Sequence, residues 1–157
     1  MIACDISRPH LDLARAYLDD AGQQNVTLLR LARLDSLESL APFDFFYSVL
    51  VLQHNPPPLI NRILEITFGK LREGGFAYFQ LPVAARERYE FGIEDYLKRA
   101  ESDKATMEMH ILPQRRLFHL LEKSGMRVLD FQIDGYSGPS FQSVSILAQK
   151  APLLARE

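Results

Sequence analysis

What this chain has little of narrows it first. One cysteine in 157 residues leaves no partner for an internal disulfide, and Cys4, without a basic neighbour in sequence, reads as a small buried hydrophobe rather than a nucleophile. No stretch approaches the ~20 consecutive apolar residues of a membrane-spanning helix. Met1 to Asp5 lacks the charged lead and apolar core of a secretory signal, so the expected compartment is the cytoplasm. An excess of charge of one sign is also lacking. The formal net charge is -2 and the basic residues are dispersed, which leaves no electrostatic footprint for nucleic acid. His54, Glu108 and His110 offer no ligand pair at a recognisable metal spacing, so no metal is expected. Ser137 and Ser140 have no basic partner in sequence, which removes support for a hydrolase.

What is present describes an ordinary globular chain, 47% hydrophobic and 24% charged. Its length suits one domain, expected over residues 1–150 with a frayed tail at 151–157. The organising stretch is PFDFFYSVLVLQHNPPPLINRILEITFGKLREGGFAYFQLP, from Pro42 to Pro82. An apolar run from Phe43 to Leu52 reads as a strand. Gln53-His54-Asn55-Pro56-Pro57-Pro58 breaks it. Leu59, Ile60, Ile63, Leu64, Thr67 and Leu71 then recur at helical spacing, and Gly74-Gly75 is expected to stop that helix. Phe76 to Leu81 reads as a second strand, buried on both faces. Two strands joined through a helix make a parallel crossover. The polar residues after the first strand then lie at the carboxyl edge of the sheet, where open α/β sheets place ligands.

The rest of the chain extends this order. Ile2 to Asp5 reads as a strand end, followed by Ser7 as N-cap of a helix with its stripe on Leu11, Ala14, Leu18 and Ala21 and its stop at Gly22. Val26 to Leu31 is a strand, and Asp35 to Leu40 gives one or two helical turns. Residues 83–110, charged with interleaved aromatics, read either as a helical insertion or lid, or as a solvated helix covering the sheet. Pro113 starts a helix ending at Gly125, and Met126 to Ile133 and Phe141 to Ala148 form an antiparallel pair.

The succession of strand and Asp5, then FDFFYSVLVLQH, then LREGGFAYFQLP, then a terminal antiparallel pair ending at Lys150 resembles the class I S-adenosylmethionine-dependent methyltransferases. The resemblance spans Ile2 to Lys150 and is most specific at Ala3-Cys4-Asp5-Ile6-Ser7 and Leu71-Arg72-Glu73-Gly74-Gly75. The QHNPPP loop is more similar to the small-molecule members. The implied fold is an α/β, Rossmann-like sheet, mostly parallel with an antiparallel C-terminal strand pair and truncated at its N-terminus. The implied cofactor is S-adenosylmethionine. Asp5 would take the ribose hydroxyls and Ile6 would pack on adenine. Arg33 and Leu34 follow the next strand, where the family usually offers the adenine amine a polar group, although Ala32-Arg33-Leu34 holds no carboxylate and Asp35 is displaced. Ser48 to His54 would line the cofactor and face a small-molecule methyl acceptor.

The chain departs from the family at one place. The family's first strand and glycine-rich turn have no counterpart, since the eight glycines stand at positions 22, 69, 74, 75, 92, 125, 135 and 138 and none makes a Gly-x-Gly spacing before Asp5. The chain is thus expected either to be the C-terminal remainder of a longer methyltransferase or a degenerate member that no longer uses the cofactor. A missing central strand also exposes edges and apolar surface, which a homodimer would cover. That makes a non-catalytic dimeric interaction protein the alternative.

Individual side chains keep two readings. His54 is the candidate general base, or a loop histidine that caps the next helix or packs on Pro56. Asn55 contacts substrate, or holds the loop as an Asx-turn. His110, between Met109 and Ile111, faces the substrate or is buried as structure. Tyr89, with Tyr96 at helical spacing, makes a substrate wall or simply packs.

Overall fold

A computed structural model describes residues 1–86 and 108–152. Most of the 83–110 segment read as an insertion, with Tyr89 and Tyr96, and the end of the tail lie outside the described residues. The chain packs as two compact units, Met1–Leu40 and Ala41–Glu157.

In the first unit β1 (Ile2–Asp5), α1 (Arg8–Asp20), β2 (Thr27–Arg30) and the single turn α2 (Asp35–Glu38) follow the expected order. β1 and β2 pair in parallel from Ile2 opposite Thr27 to Asp5 opposite Arg30. Ser7 caps α1, its Oγ accepting from the His10 N–H at 3.3 Å, and Gly22 takes φ +64° just past the helix end, as left-handed helix termini require. Of the expected stripe only Leu11 is buried. Cys4 is a correction: it is exposed, because β1 has β2 as its sole strand neighbour among the described residues. Desolvation by surrounding protein still raises its thiol pKa, so the thiolate that a nucleophile needs is disfavoured.

The second unit holds β3 (Phe43–Ser48), a 3-10 turn (Leu52–His54), α3 (Pro57–Lys70), β4 (Leu71–Ala85), α4 (Gln114–Lys123), β5 (Met126–Asp134) and β6 (Phe141–Lys150). Its sheet has the order β3-β4-β6-β5. β3 and β4 are parallel, and β6 lies between β4 and β5, antiparallel to both. The mixed sheet with helical crossovers confirms the expected α/β, Rossmann-like class. Ile60, Leu64 and Phe68 of α3 and Leu117, Leu120 and Leu121 of α4 join Ala77, Phe79, Leu81, Val144, Ile146 and Ala148 of the sheet in one buried core.

Four expectations move, each for a local reason. The first apolar run yields a strand only to Ser48, and Leu50 turns the chain at φ +59°. α3 begins at Pro57, not after Pro58, since prolines in a first turn lack an N–H that would have had no helical partner. It ends at Lys70, four residues before Gly74, because Leu71 is already extended and pairs with Phe43. The glycines instead shape an irregularity in β4: Gly74 has φ +78°, and a Cβ on Gly75 would stand 2.9 Å from the Arg72 carbonyl and 3.0 Å from that of Asp44. Finally, β4 is not buried on both faces along its length. Phe79, Gln80 and Leu81 are buried while Phe76 is exposed.

Lys150 ties the last strand to α3 and α4. Its Nζ donates to the carbonyls of Phe68 at 3.3 Å and Ser124 at 2.6 Å, at the C-terminal ends of α3 and α4, where a cation meets the negative end of each helix dipole. Lys150→Met retains the stem and removes both bonds. The expected loss is about 1–3 kcal/mol in urea unfolding, and a loss below ~0.5 kcal/mol would show the ammonium to be merely solvated.

Candidate functional site

The carboxyl end of β3 carries a connected set of polar side chains. Ser48, buried, closes the strand, the chain bends through Val49 to Val51, and the 3-10 turn presents His54. The His54 Nδ1 lies 2.8 Å from the carbonyl oxygen of Glu108. A carbonyl only accepts, so in the neutral ring Nδ1 carries the hydrogen and Nε2 presents its lone pair. Nε2 has Gln53 Nε2 at 3.5 Å, the outer limit of a hydrogen bond, and His54 is half-buried.

Behind His54 runs a chain of hydrogen bonds with one direction throughout. The Leu50 N–H donates to Gln80 Oε1 at 3.1 Å, and Gln80 Nε2 donates to Ser137 Oγ at 3.0 Å. Ser137 Oγ then donates to Gln53 Oε1 at 2.9 Å, which leaves the Gln53 amide N–H₂ turned toward His54. Gln80, Gln53 and Ser137 are all buried. Every donor in the relay meets an acceptor, and bonds aligned in this way polarise one another in a low-dielectric interior. The relay holds the loop after β3 by its left-handed residue, Leu50, and by its 3-10 turn.

The irregular segment that leads into α4 closes the other side. The His110 N–H donates to the Gln53 carbonyl at 2.7 Å, and His110 Nε2 is 3.0 Å from the Glu108 carboxylate. His110 itself is fully enclosed, so of its two readings the buried structural one describes its surroundings. Asn55 Nδ2 donates back to the carbonyls of Val51 and Leu52 at 3.2 and 3.3 Å. It therefore fastens the end of the 3-10 turn rather than turning toward the prolines.

In the first unit Asp5 and Ile6 stand at the carboxyl end of β1, and Arg33 and Leu34 follow β2. Asp5 Oδ1 accepts from the Ser7 N–H at 2.7 Å, and Oδ2 lies 3.6 Å from His10 Nδ1. One oxygen is thus partly committed to the local turn. Oδ2, with the side chain 38% exposed, stays open to a hydroxyl donor. Ile6 is exposed, available to a flat ring. Arg33 points to solvent, 3.5 Å from Asp35, and Leu34 begins α2 without a side-chain cap. The only glycine of this unit is Gly22, at a helix end, so nothing described in it offers the close backbone approach that a glycine-rich turn gives.

Gln80 is the member of the site that sequence reasoning did not name; Gln53 fell within the stretch Ser48 to His54, and Ser137 and Glu108 were weighed only as a nucleophile and a metal ligand. Gln80 carried a readable signal, as one amide inside the apolar run Phe76 to Leu81. The others become neighbours only through folding.

The fold these elements define is that of the class I S-adenosylmethionine-dependent methyltransferases. Among similar solved structures, such a methyltransferase from Methanosarcina mazei shares 19% identity with a TM-score of 0.67, covering 96% of this chain and 81% of its own. A putative methyltransferase from Bacillus halodurans shares 15% at TM-score 0.67, with 96% and 83% covered. Magnesium protoporphyrin IX methyltransferase from Synechocystis, solved with bound S-adenosylhomocysteine, shares 13% at TM-score 0.65, with 96% and 64% covered. No protein-family model matches the chain, and no curated protein matches it by sequence. Among the described residues no helix is long and apolar enough to cross a membrane.

Proposed function

We propose that this chain is a methyltransferase-type domain whose parent chemistry moves a methyl group from S-adenosylmethionine to a small molecule, and that the chain by itself binds this cofactor weakly. The observation that carries the chemistry is the fixed tautomer of His54. With Nδ1–H held by the Glu108 carbonyl, the Nε2 lone pair is the one available to take a proton from an acceptor hydroxyl or amine as the methyl arrives. In the first unit Asp5 and Ile6 would hold the ribose and adenine, with Arg33 and Leu34 as further cofactor contacts; in the second, Ser48 would be a cofactor contact and Asn55 a substrate contact, while the enclosed His110 would support the loop from behind. The weak affinity follows from the lack of a Gly-x-Gly turn before Asp5. Fold alone does not fix function. What supports this reading is the conjunction of the fold with a strand-end carboxylate and an oriented imidazole.

Calorimetric titration of the purified chain with S-adenosylmethionine, beside Asp5→Ala, tests it. The expected result is heat that does not saturate below about 100 μM ligand, reduced further in the variant. Micromolar affinity would overturn the weak-binding part. Affinity indifferent to Asp5→Ala would overturn the ribose assignment. The competing reading, a non-catalytic interaction protein that dimerises, draws on a separate observation, the unpaired edges of β1 and β3 among the described residues.

A further inference from the structure

The relay behind His54 has a single polarity, and two backbone groups impose it. At one end the Leu50 N–H can only donate, so the oxygen of the Gln80 amide must face it, at 3.1 Å. That turns the Gln80 nitrogen to Ser137 Oγ at 3.0 Å and leaves the Ser137 hydroxyl as donor to Gln53 Oε1 at 2.9 Å. The Gln53 nitrogen then faces His54 Nε2 at 3.5 Å. At the other end the Glu108 carbonyl can only accept, from Nδ1–H at 2.8 Å. The reverse order would set the Leu50 N–H against an amide N–H₂, two donors with no acceptor between them. Side by side, therefore, stand one N–H donor, on Gln53, and one lone pair, on His54. Gln53 is only 4% exposed, whereas His54 is half-buried and reaches the surface.

We infer that the methyl acceptor is a hydroxyl and that Gln53 is the residue that selects it, an inference that rests on the reading of His54 as the base. A group seated between the two side chains must answer both, because a buried donor left unpaired is costly. A hydroxyl does so with a lone pair to spare. It accepts from Gln53 with one lone pair, donates its hydrogen to Nε2, and keeps the other lone pair for the methyl carbon. A neutral amine has a single lone pair, which either answers Gln53 or attacks. A carboxylate has no hydrogen to give and meets Nε2 lone pair to lone pair. A thiol is a weak partner on both sides. Two bonds of ~2.8 Å meeting near the tetrahedral angle at oxygen set the flanking nitrogens about 4.6 Å apart, so the 3.5 Å contact opens by roughly 1 Å to admit the group. During transfer the free oxygen lone pair forms the bond to the methyl carbon as the carbon–sulfur pair returns to sulfur. The hydroxyl proton passes to Nε2, its bonding pair staying on oxygen, and leaves from there to water. Ser137 acts through Gln53: its hydroxyl holds Oε1 and thereby keeps the amide nitrogen on the His54 side.

Nuclear magnetic resonance of the full chain, with nitrogen-15 in its histidine rings and glutamine amides, tests the proposal. The signals of interest are identified by their loss in His54→Gln and Gln53→Met. The probes are phenol, aniline and benzoate, similar in size and different in the polar group. In the free chain the neutral His54 ring should carry its hydrogen on Nδ1. Phenol should shift the Gln53 N–H₂ and His54 Nε2 signals together and saturably, with aniline and benzoate at least about tenfold weaker, as a site built to bond a hydroxyl rejects analogues that lack one. Ser137→Ala, which releases the Gln53 amide, should reduce that preference to less than about threefold, and far-ultraviolet circular dichroism establishes that the variant folds. A hydrogen on Nε2 of the free neutral ring, no shift with phenol, equal response to the three probes, or an unchanged preference in folded Ser137→Ala would each overturn the proposal. No cofactor is present, so its failure is read apart from any failure of S-adenosylmethionine to bind in the calorimetric titration.

Discussion

Replacing Phe79 by alanine is expected to cost the unit Ala41–Glu157 about 3–5 kcal/mol of unfolding free energy. Phe79 is fully buried. Its ring meets Phe68 of α3 at 5.6 Å and Phe46 of β3 at 6.5 Å between centroids, so it joins helix, central strand and edge strand at one point. Alanine removes the transfer energy of the ring and leaves a cavity bounded by rigid β4 and β6 backbone, which limits collapse. Against a typical total of ~5–15 kcal/mol, the loss is a large fraction of the stability. Urea unfolding followed by circular dichroism reads it as a lower midpoint at unchanged slope. Phe79→Leu, which keeps most of the volume, should lose less than half as much. A loss below ~1 kcal/mol for the alanine variant would contradict the packing described.

Gln80→Ala is expected to cost about 2–5 kcal/mol for a different reason. The buried amide accepts from the Leu50 N–H and donates to Ser137, and its removal strands a donor at one end and an acceptor at the other. Each buried group left unsatisfied costs ~1–3 kcal/mol. The consequence should be directional as well as energetic. The Leu50 amide should exchange with solvent faster, because its only acceptor side chain is gone while its backbone stays at φ +59°, a conformation disfavoured for leucine. Combining Gln80→Ala with Ser137→Ala should cost less than the sum of the two, since the second removes a group already left unpaired. Strict additivity, with Leu50 exchange unchanged, would show that the relay does not hold the loop after β3.

Both predictions concern residues whose weight the sequence shows unevenly. Phe79 was legible as core because it sits in the apolar run before Pro82. Gln80 was visible as an anomaly in that run, yet its partners lie at positions 50 and 137, joined only by pairing β4 with β3 and β6. The glycines mislead for a related reason. Gly74-Gly75 has the composition of a helix stop, and local propensity places one there. Helix and strand compete for Leu71, however, and the bond of β4 to β3 wins, so α3 ends at Lys70 and the glycines serve the close approach to Asp44.

What the sequence determined by itself was local and periodic. It determined the alternation of strands and helices, the Ser7 cap, the carboxylate at the end of β1, and an imidazole in the loop after β3, because each depends on residues within a few positions of one another. Tertiary structure decided what lies far apart along the chain: the placement of β6 between β4 and β5, the left-handed turn at Leu50, the exposure of Cys4, and the tautomer of His54. That tautomer is set by a carbonyl 54 residues away. The backbone carbonyl is common to every residue type, so its position, and with it the basic nitrogen of His54, is a property of the fold alone.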